Sequence, residues 1–109
     1  MAYDEGLAQR IRDSLAARTD IAEKKMFGGL AFMLAGNMCC GVVRDTLMLR
    51  VGPVQYHEAL QQPHAREMDF TGRAMKGMIY VDAPGFAEDS ALEDWLARAV
   101  SFASSLPPK

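Results

Sequence analysis

The sequence predicts an α+β fold: an antiparallel sheet with helices, in the order α-β(3-4)-α-β(1-2)-α. Three observations carry that reading. The run from Lys24 to Val51, KKMFGGLAFMLAGNMCCGVVRDTLMLRV, holds three strand-like segments separated by short reversals, as expected of an antiparallel meander. Segments of helical periodicity stand before and after it. The length of 109 residues fits one domain over residues 1–109, since single domains most often hold about 100–150 residues.

Each element has its own signal. From Asp4 to Arg18, Leu7, Ile11 and Leu15 recur every four residues, which predicts an amphipathic helix. Asp4 and Glu5 at its start and Arg18 at its end suit the helix dipole. A short strand is expected over Lys24–Phe27, ended by Gly28-Gly29. The next runs over Leu30–Ala35 with Leu30, Phe32 and Leu34 on one face. Gly36-Asn37 reads as a two-residue hairpin loop, Met38–Val43 as the returning strand, and Arg44-Asp45 as the reversal into Thr46–Val51. Within that strand Leu47, Leu49 and Val51 alternate with Thr46, Met48 and Arg50, so one face is buried and the other partly solvated.

Pro53 suits the first turn of a helix over Pro53–Gln61, because its missing N–H has no partner there. Met68-Asp69-Phe70 reads as a short strand and Met75–Val81 as a longer one, followed by a turn at Pro84-Gly85. Ser90 and Glu93 have capping-box spacing and open a final helix. Its stripe is Leu92, Trp95, Leu96, Ala99, Phe102 and Leu106, and Pro107-Pro108 stops it. Trp95 is expected to anchor this helix on the sheet, with Arg98 on its polar face.

Composition narrows the function classes. The formal net charge is −2, and Ala22–Asp82 carries seven Lys and Arg against six Asp and Glu. Binding to nucleic-acid phosphates calls for a basic face or stripe, and no such excess is present. No apolar run approaches the roughly 20 residues that span a membrane. The start, MAYDEGLAQR, lacks the basic and apolar regions of a signal peptide. Cys39 and Cys40 are adjacent, so in a regular strand their thiols diverge. Free thiols suit a reducing compartment, and the expected location is cytoplasmic.

No pattern of catalytic or cofactor chemistry emerges. Gly28-Gly29 lacks the spacing of a phosphate loop or a dinucleotide turn and reads as a turn with special backbone angles. His57 and His64 lie far from the cysteines in sequence, so a metal set is not expected. His57 and Glu58 are adjacent on a helix and do not face each other. Among the methionines, Met26, Met33, Met38, Met48, Met75 and Met78 cluster around the strands. Methionine fills irregular cores and also lines adaptable binding surfaces. Core filling is the first reading here, with Met33 and Met48 outward if one sheet face is open.

The segments KKMFGG, LAFMLAGNMCCGVV and LMLRV together resemble the TfoX/Sxy N-terminal domain family. Met26, Phe27, Gly28 and Gly29 carry the closest match. Gly36-Asn37-Met38, Leu47–Val51, the later GRAMKGMIYV and the helix around Trp95 extend it over nearly the whole chain. The resemblance implies an α+β domain of secretion-chaperone-like shape. It also implies a regulatory role, since named members switch on natural competence together with transcription machinery. Longer members follow this domain with a second, helical one.

The leading expectation is a non-enzymatic module that needs no cofactor or metal and binds a protein, either transcription machinery or a second copy. Its candidate interaction surface comprises Lys24, Lys25, Phe27, Gly28, Gly29, Arg50, Arg73 and Lys76. Two alternatives stand beside it. One is direct nucleic-acid binding through Lys24, Lys25, Arg44 and Arg50. The other is a small-ligand or enzymatic pocket near Asp69, Arg73, Lys76 and Tyr80.

Overall fold

A computed structural model describes residues 3–26, 28–68 and 76–109. Helix α1 spans Glu5–Ser14. The Asp4 carboxylate caps it by accepting from the backbone N–H of Gly6 at 2.8 Å and of Leu7 at 3.2 Å, satisfying donors that have no partner within the helix. Leu7, Ala8, Ile11 and Leu15 are buried, so the expected stripe is the docked face. The helix ends four residues before Arg18. Instead of sitting on the helix terminus, Arg18 pairs with Asp20 at 3.0 Å.

Six strands follow: β1 Ile21–Met26, β2 Gly29–Leu34, β3 Asn37–Val43, β4 Thr46–Arg50, β5 Ala65–Glu67 and β6 Met78–Val81. They form one sheet in the order β1-β2-β3-β4-β6-β5, every neighbouring pair antiparallel. Strand β1 starts three residues before the expected Lys24, because Ile21 and Ala22 pair with Leu34 and Met33. Strand β5 precedes the expected Met68–Phe70, of which Asp69 and Phe70 lie outside the described residues. Likewise Met75 lies outside them, and β6 begins at Met78 after a turn at Lys76-Gly77.

The β2–β3 loop is Ala35-Gly36 rather than Gly36-Asn37. Both residues have positive φ, 51° and 87°, as a two-residue loop matched to strand twist requires. Asn37 therefore becomes a strand residue paired with Leu34, and its buried side-chain amide donates to the Pro107 carbonyl at 2.9 Å. The backbone N–H of Lys109 donates to the Ala35 carbonyl at 2.8 Å. These two bonds strap the end of the described chain across the loop and hold Ala35 in its left-handed conformation.

Strand β3 contains the irregularity that most affects the core. Phe32 pairs with Cys40, but Met33 pairs with Met38. Cys39 is thus the extra residue of a β-bulge, and the alternation of faces resets at that point. Cys39 and Cys40 both enter the same buried core cluster, and Met38 turns to the opposite face. The thiols do not diverge as a regular strand would require.

Helix α2, Gly52–Leu60, packs Tyr56 and Ala59 inward. A 3-10 turn, Ala83–Phe86, leads to α3, Asp89–Ser104. The expected capping box is absent: Glu88 is the N-cap residue, no side chain caps the helix, and Ser90 lies inside it. The start is set from outside. Arg10 of α1 donates to the carbonyls of Phe86 at 2.9 Å and Ala87 at 3.3 Å, and to the Asp89 carboxylate at 3.0 Å. Leu92, Trp95, Leu96, Ala99 and Ala103 are the buried face of α3. Ala103 takes the inward position expected of Phe102, which is half-buried over Gly52. Gly52 has a φ of 83°, and a Cβ there would collide with the Phe102 ring. Trp95 is 7% exposed, and its Nε1–H donates to the Gly85 carbonyl at 3.2 Å.

Candidate interaction surface

The residues singled out from the sequence do not form one patch. Lys24 pairs with Ala31 and Lys25 with Leu30, so these exposed lysines leave edge strand β1 on opposite faces. Gly28 is an exposed turn residue with φ 74°, and open space surrounds it. Gly29 is required for another reason: a Cβ would strike the Val42 carbonyl of the neighbouring strand. Arg50 lies with its guanidinium 5.3 Å from the Phe102 ring centroid. Lys76 is exposed at the turn into β6. Phe27 and Arg73 lie outside the described residues.

The alternative sites come apart in the same way. For nucleic-acid binding, Arg44 and Arg50 stand at opposite ends of β4 while Lys24 and Lys25 face apart, so no stripe assembles. For the pocket reading, Asp69 and Arg73 lie outside the described residues. Tyr80 is closed over by Arg66, 4.8 Å from its ring centroid, and Arg66 is held by Asp82 at 3.1 Å. His57 is exposed on α2, while Glu58 reaches Arg98 at 3.0 Å.

The cysteines are packed together. The Cys40 thiol, hydrogen-bonded to Cys39 and fully buried, is pushed well above the ordinary cysteine range. Cys39 is drawn the other way by the same bond. Among the described residues, no group of three or more His, Cys, Asp or Glu could hold a metal ion. No helix of the described residues is long and apolar enough to cross a membrane.

What the structure does assemble is a second, methionine-rich core cluster with a half-buried rim. The helices cover one face of the sheet, and the core on that side contains no methionine. All six described methionines, Met26, Met33, Met38, Met48, Met68 and Met78, gather on the opposite face with Ala31, Val43 and Tyr80. The core-filling reading holds for Met48, Met68 and Met78, which are buried in a second core cluster apart from the main one. Met48 does face away from the helices but is 1% exposed. A Cβ on Gly41 would come within 2.7 Å of the Met48 Cε. The side chain therefore lies down on Gly41, while Met26, Met33, Met38 and Val43 remain half-buried around it.

One register row crosses this face from edge to edge: Lys24, Ala31, Gly41, Met48, Tyr80, Arg66. The family model of the TfoX N-terminal domain matches residues 13–103. The chain belongs to that family. No curated protein and no solved structure matches it. The matched span of this TfoX N-terminal domain takes in the whole sheet and nearly all of α3. Sequence reasoning missed Met68 as a member of the methionine cluster. Because the bulge at Cys39 reverses the alternation, it also missed the side on which Met38 emerges.

Proposed function

We propose that this TfoX N-terminal domain is a non-enzymatic, cytoplasmic protein-binding module acting in transcription control of the competence type. Family membership supports the regulatory setting. The observation that supports the binding role is the half-buried methionine rim of Met26, Met33 and Met38 on the face away from the helices. Methionine is unbranched and polarizable, so a methionine surface adapts to a partner's side chains.

A photoreactive residue placed at Met38, with a control at Glu93 on α3, tests this in living cells. A defined partner trapped from position 38 and not from position 93 is expected. Failure to trap any protein from position 38 across growth phases overturns the reading.

A further inference from the structure

Strand β1 is an open edge of the sheet. Its residues, Ile21–Met26, pair with β2 without a register shift, and all of them are exposed or half-buried. The Asp20 carbonyl accepts from the Ala35 N–H at 2.8 Å. Residues of an antiparallel ladder alternate between bonding the neighbouring strand and pointing away from it. Ala22, Lys24 and Met26 therefore bond β2, whereas Ile21, Glu23 and Lys25 turn their N–H and C=O groups outward. No described group bonds them. The opposite edge differs: β5 is only Ala65–Glu67, and its Arg66 is held over Tyr80 by Asp82. Residues 69–75 join Met68 to Lys76 at that far side. A link of that length reaches at most about 14 Å out and back. The outer edge lies four strand spacings from β6, about 19 Å.

The charges along β1 leave it positive. Glu23 is bound by Arg12 at 2.6 Å, and Asp20 just before the strand by Arg18 at 3.0 Å. Lys24 and Lys25 are exposed, and no described carboxylate pairs with either.

We infer that β1 takes up an added strand, an extended segment of a partner protein with two adjacent carboxylate residues opposite Lys24 and Lys25. This rests on the protein-binding reading above and specifies the chemistry of the partner. Backbone bonds to Ile21, Glu23 and Lys25 supply affinity, and the side chains supply choice. Adjacent carboxylates in a strand point to opposite faces, as the two lysines do. On the face away from the helices the added strand lies beside Ala22 and Met26, and Met26 belongs to the half-buried methionine rim. A second copy fits less well. A two-fold axis between antiparallel edge strands pairs residues that share a face. The two registers that overlap most of β1 then set Glu23 on Glu23 or Lys24 on Lys24, and like charges directly opposite are destabilising.

The test uses short peptides rich in valine and threonine. One carries two adjacent central glutamates, one has lysines in their place, and one keeps the glutamates but has methylated backbone nitrogens. Amide hydrogen exchange, read by NMR, should slow at Ile21, Glu23 and Lys25 on adding the glutamate peptide. It should change little at Ala22, Lys24 and Met26, which already bond β2. The lysine peptide should bind more weakly, and the methylated peptide should give no such protection. Lys24→Glu with Lys25→Glu should weaken the glutamate peptide by about threefold per site, the scale of an exposed charge contact, and should favour the lysine peptide instead. Both lysines are exposed, so thermal unfolding should show the double variant folded as the parent.

Equal binding of the glutamate and lysine peptides overturns the inference, as does binding without the alternating protection. Duplex DNA moving the Lys24 and Lys25 signals where the glutamate peptide does not overturns it in favour of nucleic acid. Alternating protection that appears in the protein alone as its concentration rises overturns it in favour of a second copy. A partner trapped at position 38 with no protection of Ile21, Glu23 and Lys25 by acidic peptides would defeat this inference and leave the protein-binding module intact.

Discussion

The two faces of one sheet are built from different side chains. Leucine, isoleucine, valine and aromatic residues fill the helix-covered side, and methionine fills most of the other, with Ala31, Val43 and Tyr80. Branched and aromatic side chains hold well-defined rotamers and specify a single packing. Methionine has three rotatable bonds and specifies packing loosely. The helix side therefore specifies the packing of the fold most tightly, and the half-buried Met26, Met33 and Met38 can repack at lower cost.

The largest expected effect breaks the helix side. Trp95→Ala removes a buried ring and its hydrogen bond to Gly85, and should cost about 3–5 kcal/mol. That is a large part of the roughly 5–15 kcal/mol typical of a domain. Met33→Ala on the half-buried opposite face should cost far less. Urea unfolding of both variants measures the asymmetry. Equal midpoints would mean that the two faces do not differ in this way.

The next effect sharpens the comparison within the methionine face. Gly41→Ala should destabilise by about 1–3 kcal/mol, as overpacking does, because the new methyl meets the Leu30 carbonyl at 2.5 Å and the Met48 Cε at 2.7 Å. Met48 can swing away, whereas the carbonyl cannot. Shortening Met48 to Ala in the same chain should therefore recover only part of the loss. Full recovery would place the whole conflict in the Met48 side chain.

Much of the fold was legible because its signals are local. The stripes of α1 and α3, the glycine and proline punctuation, and the alternation of β4 each follow from spacing alone. The misreadings share a different origin. A bulge depends on the partner strand, so nothing in MCCGVV marks Cys39 as the extra residue. The start of α3 is fixed by Arg10, 79 residues away from Asp89 in sequence, which overrides the local Ser90–Glu93 signal. The Ala35-Gly36 loop is set by pairing of Asn37 and by the strap from Pro107 and Lys109. The candidate surface was the least legible, because charges picked by type alone diverged onto different faces and ends of the sheet.

Thiol chemistry reads the bulge directly. With Cys39 and Cys40 both in the core, a disulfide reagent should label neither thiol in the native protein and both once it is unfolded in urea. The raised titration of Cys40 reinforces this, because the thiolate is the reactive form. Rapid native labelling of just one thiol would mean that Cys39 and Cys40 face opposite ways and that the bulge is absent.

The smallest effect concerns Arg98, expected on a polar face but found half-buried beside the Trp95 ring, 5.3 Å from its centroid. It donates to Gln55 and Glu58, both at 3.2 Å. The hydrogen bond from Arg98 is the main reason the Glu58 carboxyl sits below its ordinary range. A carboxylate depressed in the folded state adds stability above its unfolded pKa, and that contribution is lost as pH falls through the folded value. The Glu58 side chain is exposed, so the effect is small. Unfolding midpoints of the parent and Arg98→Ala should differ slightly at neutral pH and converge under acid, below the ordinary glutamate value of about 4.3. Whatever difference survives in acid belongs to the guanidinium's packing on Trp95 and its hydrogen bond to Gln55, neither of which titrates in that range. A gap that widened as the pH fell would reverse the sign of the linkage and rule out the Arg98–Glu58 pair as its source.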